Sequence, residues 1–170
     1  MTEYTRPATW EDVKTLARHL KDAGVEYALV GGYAIAAHGF NRLTEDIDIL
    51  VNPSADNSRR WIFALSKLPD GAARELLATP DVFAEDSLYA IRINDEFTVD
   101  VMPSIAGLTW VAMQPHITSI AIDDIVMPIL DLPGLLKTKQ GVRPKDQMDA
   151  AVITAALKAR AQSKSPGEAT

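Results

Sequence analysis

The stretch from Val25 to Val51 constrains this chain more than any other. Val25 to Val30 reads as a short buried strand, the paired glycines Gly31 and Gly32 follow at once, and Tyr33 to His38 is a helical run of small residues. A second strand starts at Asp46, where DIDILV alternates acid and aliphatic over its first four residues before turning at Asn52-Pro53. Side chains alternate across a strand, so Ile47, Ile49 and Val51 share one face and Asp46 and Asp48 share the other. The order is strand, glycine-rich turn, helix and then a second strand.

The flanking sequence supplies more of the same. Thr9 is a good helix N-cap, and Trp10, Val13, Leu16, Ala17 and Leu20 recur at helical spacing up to Gly24, a natural stop. Ser58 to Leu68 reads as a helix with Trp61, Ile62, Leu65 and Leu68 as its apolar stripe. Leu88 to Ile93 and Phe97 to Met102 read as a hairpin joined by Asn94-Asp95-Glu96. After Pro103 the pattern weakens, leaving a strand at Ile117 to Ile122 and a helix from Leu132 to Gln140. A last helix starts at Pro144 and runs through Met148, Ala151, Val152 and Leu157 before the polar tail AQSKSPGEAT.

A chain of 170 residues that is 47% hydrophobic suits one domain, expected over residues 1–160 with a flexible tail at 161–170. With no cysteine, neither a disulfide framework nor a thiolate metal site can form. No apolar run has the length of a signal or of a membrane span, so the expectation is a soluble, cytoplasmic protein without membrane contact. A net charge of -6 argues against a broad grip on nucleic acid, which depends on Lys and Arg displacing counterions, and leaves room only for a local basic patch.

Asp46 and Asp48 stand about 6.6 Å apart along their strand, two rises of roughly 3.3 Å, and form a forked pair. Ionised side by side, they repel unless solvent or a cation compensates them. Magnesium is the natural cation, a hard ion that takes oxygen ligands from one or two carboxylates and from phosphates. Asp100, in FTVDVM, points away from the core while Val99 and Val101 point into it. Three acids on strands of one sheet can hold two ions about 3.5 to 4 Å apart, the geometry of in-line phosphoryl chemistry. Each acid taken alone also reads as a solvated strand edge. Gly31 and Gly32 leave backbone N–H groups open to close approach by an anion, or form an ordinary tight turn.

The run GGYAIAAHGFNRLTEDIDILV, with TVDVM downstream, resembles the DNA polymerase beta-like nucleotidyltransferase superfamily: a Gly-Gly turn, a D-x-[DE] strand and a third acid. It is similar to the minimal branch that includes abortive-infection toxin nucleotidyltransferases, and KTKQGVRPKDQMDA matches that branch's C-terminal Lys-Arg-Lys-Asp pattern. The resemblance implies a mixed twisted sheet flanked by helices with a C-terminal helical segment. It implies that Asp46, Asp48 and Asp100 are the catalytic metal ligands of a two-ion magnesium site. By the same resemblance Gly31, Gly32, Arg42, Lys139 and Lys145 bind the nucleotide. The chain departs from the family at Tyr33, where many members carry Ser or Gly, so a hydroxyl contact to the terminal phosphate is absent or remodelled.

Read otherwise, Arg42 and the cluster of Lys137, Lys139, Arg143 and Lys145 are solvated or salt-bridged surface, and His38 is a packed or surface residue. Trp10, Trp61 and Trp110 read as core or lid anchors, with no basic interleaving that suggests base stacking. The leading expectation is transfer of NMP from an NTP to a small molecule, a protein or an RNA, with release of pyrophosphate. The alternatives are a catalytically silent nucleotide-binding or partner-binding module, and a tRNA-modifying toxin with an antitoxin-like protein partner.

Overall fold

The computed structural model describes residues 5–83, 89–139 and 144–163. Helix α1 (Trp10–Asp22) begins in a reciprocal capping box: the Thr9 hydroxyl accepts from Asp12 N–H, and the Asp12 carboxylate accepts from Thr9 N–H. It ends where Gly24 takes φ +70° and Val25 N–H reaches back 3.0 Å to Leu20 O. Val13, Leu16, Ala17 and Leu20 are buried. Trp10, expected in the same stripe, opens the helix instead as an exposed ring standing edge-on to Tyr33.

Strand β1 (Tyr27–Val30), helix α2 (Gly31–Ala37), strand β2 (Ile47–Val51) and helix α3 (Ala55–Leu65) follow in the order the sequence predicts. Trp61, Ile62, Leu65 and Leu68 are all buried. The N-terminus of α3 is tied to the sheet by Asn57, a buried amide that imitates a strand neighbour. Its Oδ1 accepts from Glu26 N–H at 2.7 Å, and its Nδ2 donates to Glu26 O at 2.9 Å and Asn52 O at 2.7 Å.

Strands β3 (Ile91–Asn94) and β4 (Thr98–Met102) form the expected antiparallel hairpin. Its proposed start at Leu88 lies outside the described residues. The buried Asp95 carboxylate fixes the turn by accepting from the N–H groups of Glu96, Asp70 and Ala72, and so docks the hairpin on the 3-10 segment Ala72–Ala78.

Beyond Pro103 the structure holds elements that periodicity did not reveal. A two-stranded ribbon, β5 (Ser104–Ile105) and β6 (Leu108–Thr109), turns through Ala106 and Gly107 at φ +51° and +78°. A tight turn with two left-handed residues normally announces itself by Asn or Asp at the first, and Ala hides it. Helix α4 (Trp110–Met113) comes next, and then β7 (Ile117–Ile122) as predicted. Strand β8 (Ile125–Leu130) was missed because Pro128 argues against a strand. It pairs with β7 along its whole length, Pro128 opposite Ser119, and meets β1 at Leu29–Ile129.

Six of the described strands make one mixed sheet in the order β3-β4-β2-β1-β8-β7. Here β1 is antiparallel to β2 and parallel to β8, and β2 is parallel to β4. This is the expected α/β fold, a mixed sheet flanked by helices with a helical C-terminal segment. Helix α1 covers one face, its Val13, Leu16 and Leu20 lying against Leu29, Ile47, Ile49 and Met127. Alternation then sends Asp48 to the opposite face.

Helix α5 (Leu132–Lys137) is capped by Asp131, whose carboxylate accepts from Gly134 N–H at 2.7 Å, and it packs on α2 and on α6 (Pro144–Ser163). The predicted end of α5 at Gln140 and the tail beyond Ser163 lie outside the described residues. The predicted apolar stripe of α6 is corrected in part. Leu157 packs partly buried against the core as expected, but Met148, Ala151 and Val152 face outward, and the helix buries Asp146, Asp149 and Ile153. Its inner face combines ion-paired acids with Ile153, Ala156 and Leu157. No helix of the described residues is long and apolar enough to cross a membrane.

Replacing Asn57 with Ala removes the bonds to Glu26 N–H, Glu26 O and Asn52 O, of which Glu26 O keeps the Asn52 N–H as a partner. The expected loss is about 2–4 kcal/mol of unfolding free energy in urea denaturation, with an unchanged m-value.

Candidate functional site

Strands β2 and β4 run in parallel with Ile47 beside Val99, Asp48 beside Asp100 and Ile49 beside Val101. Neighbouring strands are about 4.8 Å apart, so the apolar residues close one face while Asp48 and Asp100 emerge side by side on the other. Asp46 precedes β2 by one residue, at the mouth. Asp46, Asp48 and Asp100 all line one cleft of about 530 Å³, with Gly31, Gly32, Arg42, Thr44, Lys139 and Lys145. Lys137 is exposed and not among the lining residues, and Arg143 lies outside the described residues.

The glycines are where backbone must pass close to acid and loop. Val30 pairs with Asp48 across the sheet, so Gly31 comes directly against that carboxylate with φ +71°. A Cβ at Gly31 would overlap Asp48 Oδ2, and one at Gly32 would lie 2.7 Å from Thr44 Oγ1. Only hydrogen fits at either place. Val30, the N-cap of α2, offers no capping side chain to the first-turn amides.

Tyr33 turns away from this cleft. Its hydroxyl donates to Ala8 O at 2.5 Å and its buried ring packs against Trp10. The departure from Ser or Gly therefore gives the chain a brace for its N-terminal segment. His38 is likewise occupied elsewhere, with Nε2 2.8 Å from Leu130 O.

Electrostatics dominate the site. Burial in the cleft, then the negative charge of Asp100, then a hydrogen bond shared with Asp100, push the Asp48 carboxyl up to about 7, with Asp46 adding to the rise and Lys139 opposing it. Asp48 is thus poised between neutral and charged at physiological pH, and a cation placed beside it would settle it as the anion. Asp100, 13% exposed, is held by Arg92 of β3, its cross-strand partner: Nε is 3.0 Å from Oδ1 and Nη2 is 3.1 Å from Oδ2. The same Nη2 lies 3.5 Å from Asp46 Oδ2.

Arg92 is the site residue that sequence reasoning passed over. The three-residue turn from Asp95 to Phe97 pairs Asn94 with Thr98, Ile93 with Val99 and Arg92 with Asp100, whereas the turn expected at Asn94-Asp95-Glu96 would have set Arg92 opposite Thr98.

The basic side is built from α6. Arg42 Nε is 3.2 Å from Asp149 Oδ1, while Lys139 Nζ is 3.1 Å from Asp149 Oδ2 and 3.6 Å from Asp146 Oδ1. Arg42 Nε and Asp149 Oδ2 are buried and meet their partners by charge without aligned hydrogen bonds. Lys145, at the start of α6, is exposed at the rim. The cleft therefore carries acidic and cationic side chains together, a combination suited to an anionic ligand carrying a metal ion.

The donor set fits a divalent ion. It consists of three carboxylates, hard oxygen donors that need a cation where they stand, beside a backbone cradle that a Cβ would fill. Among the described residues no three such groups are already drawn together around a single point. In this cleft both oxygens of Asp100 are turned to Arg92.

Asp48 takes a proton in the folded chain that the unfolded chain has already shed, so its contribution to stability falls as pH rises from about 4 to about 7. In metal-free protein, Asp48→Asn is expected to raise the melting temperature more at pH 8 than at pH 5. Calorimetric scans at the two pH values check this. Gly31→Ala combines a left-handed backbone with the overlap on Asp48, and is expected to lower the melting temperature in a calorimetric scan.

No family model and no curated protein matches the sequence. Solved structures do match in shape. A "putative nucleotidyltransferase" from Thermotoga maritima superposes with a TM-score of 0.53 at 12% identity, over 91% of this chain and 90% of that one. An antigenic nucleotidyltransferase-like protein from Paracoccidioides brasiliensis gives 0.51 at 17% identity, over 88% of this chain and 78% of that one. The likeness is one of architecture, and on it the chain adopts the nucleotidyltransferase fold.

Proposed function

We propose that the protein transfers a nucleoside monophosphate from an NTP to an acceptor, releasing pyrophosphate, with magnesium held by Asp46, Asp48 and Asp100. The observation that carries this reading is the register of β2 and β4, which sets Asp48 beside Asp100 in a cleft whose floor includes Gly31. Two half-buried acids side by side are costly unless a cation stands beside them, a part that Arg92 fills for Asp100 and that magnesium would fill for the set. Bound magnesium would supply charge neutralisation at the α-phosphate and a lowered pKa for the attacking hydroxyl.

The chain's own groups do the rest. Gly31 and Gly32 let the triphosphate approach the backbone, and Thr44 stands against Gly32 at the cleft wall. Arg42 and Lys139, immobilised by Asp149, present fixed positive charge at the phosphate end, and Lys145 closes the rim. Catalysis in such a site is mostly positioning and electrostatic stabilisation. The acceptor, a small molecule, a protein or an RNA end, enters from the open side.

Asp46→Ala and Asp48→Ala are expected to reduce magnesium-dependent label transfer from an α-labelled NTP by about 10³-fold or more while the circular dichroism spectrum is retained. Transfer at the wild-type rate in either variant refutes the assignment. Offering total tRNA, a protein fraction or small hydroxyl compounds as acceptors in the same assay separates the acceptor classes.

A second reading, a nucleotide-binding module without turnover, is favoured by Tyr33, whose hydroxyl serves Ala8 and leaves the cleft without the family's usual contact. Calorimetric binding of an NTP with no pyrophosphate released in a parallel assay would select it.

A further inference from the structure

The acids of the cleft already have a cation, supplied by a residue outside the three-acid pattern. Arg92 bonds both oxygens of Asp100, at 3.0 and 3.1 Å, and lies 3.5 Å from Asp46 Oδ2. One guanidinium thus spans two of the three carboxylates on which a metal would rest, and among the described residues its side chain hydrogen-bonds to those two acids alone. Its backbone is fixed by strand pairing opposite Asp100, but its side chain is 59% exposed. It can therefore swing without disturbing the sheet. An ordinary ion pair at such exposure is worth little, yet this one stands where unmatched negative charge is concentrated.

A guanidinium and a divalent ion on the same carboxylates would repel each other at the few ångströms the site allows. A nucleotide changes the balance, because its phosphate oxygens match a guanidinium's fork as well as a carboxylate does. We propose that Arg92 is a built-in counter-cation for Asp46 and Asp100, that a divalent ion must displace it, and that the released guanidinium turns to the phosphates that arrive with the ion. The inference rests on the metal-site reading above. It makes Arg92 a positioning residue that couples the ion to the nucleotide: the ion alone binds weakly, and ion with triphosphate binds well.

The experiment is titration of the full chain with Mn²⁺, followed by electron paramagnetic resonance, with and without a nonhydrolysable NTP. It compares wild type, Arg92→Met, Arg92→Lys and Asp48→Asn. Without nucleotide, Arg92→Met should bind Mn²⁺ about tenfold more tightly than wild type, the order of one charge-assisted hydrogen bond removed from competition. Arg92→Lys, which keeps the charge with a single contact point, should fall between them. Added nucleotide should tighten Mn²⁺ binding in wild type by a larger factor than in Arg92→Met. Equal or weaker Mn²⁺ affinity in Arg92→Met, with Arg92→Lys unchanged, overturns the inference and leaves Arg92 as a group that merely orients Asp100. If Asp48→Asn binds Mn²⁺ as wild type does, with nucleotide present, the metal-site reading itself fails. Loss of binding in Asp48→Asn with no gain in Arg92→Met removes only the role assigned to Arg92.

Discussion

Two carboxylates at neighbouring positions of parallel strands, recessed from solvent, create a charge conflict to which the rest of the molecule responds. Asp48 answers it by drifting toward neutrality, its carboxyl pushed up to about 7. Asp100 answers it by taking the Arg92 guanidinium on both oxygens. The apolar residues interleaved with these acids make the conflict unavoidable. Ile47, Ile49, Val99 and Val101 are fully buried, and no shift of register could turn the acids to water without turning those four out as well. The hydrophobic core thus enforces an electrostatic arrangement that it does not itself need.

The basic side chains of the cleft are held by a separate set of ion pairs. Helix α6 has little apolar amphipathicity and is held through Asp146 and Asp149, which meet Arg42 from the loop before β2 and Lys139 from the end of α5. The acids of α6 immobilise the cations without removing them from the cleft, whose wall still includes both. A protein of net charge -6 can in this way keep a small, fixed positive surface where an anion is wanted.

The sequence disclosed the acidic half of the site better than the basic half. Alternation around Ile47 and Val99 was enough to place Asp48 and Asp100 on one face, because strand periodicity and burial agree there. Tyr33 was legible only as a departure, since its bond to Ala8 joins segments that local pattern cannot connect. Strand β8 was hidden by Pro128 and the β5–β6 ribbon by an alanine at positive φ, both cases in which tertiary context overrides local preference. The inward face of α6 was misread for a related reason. A helix that buries paired acids looks, from its apolar spacing alone, as if it should be rotated.

The parallel pairing of β2 and β4 has a consequence for how such a chain can change. Because Asp48 and Asp100 are rung partners of one ladder, their separation is dictated by interstrand spacing, and the long connection from Asn52 to Ala90 exerts no leverage on it. The outward faces of helix α3 and of the 3-10 segment can acquire new surfaces while the two carboxylates keep their distance. The scaffold separates the part of the chain free to diversify from the part that must stay still.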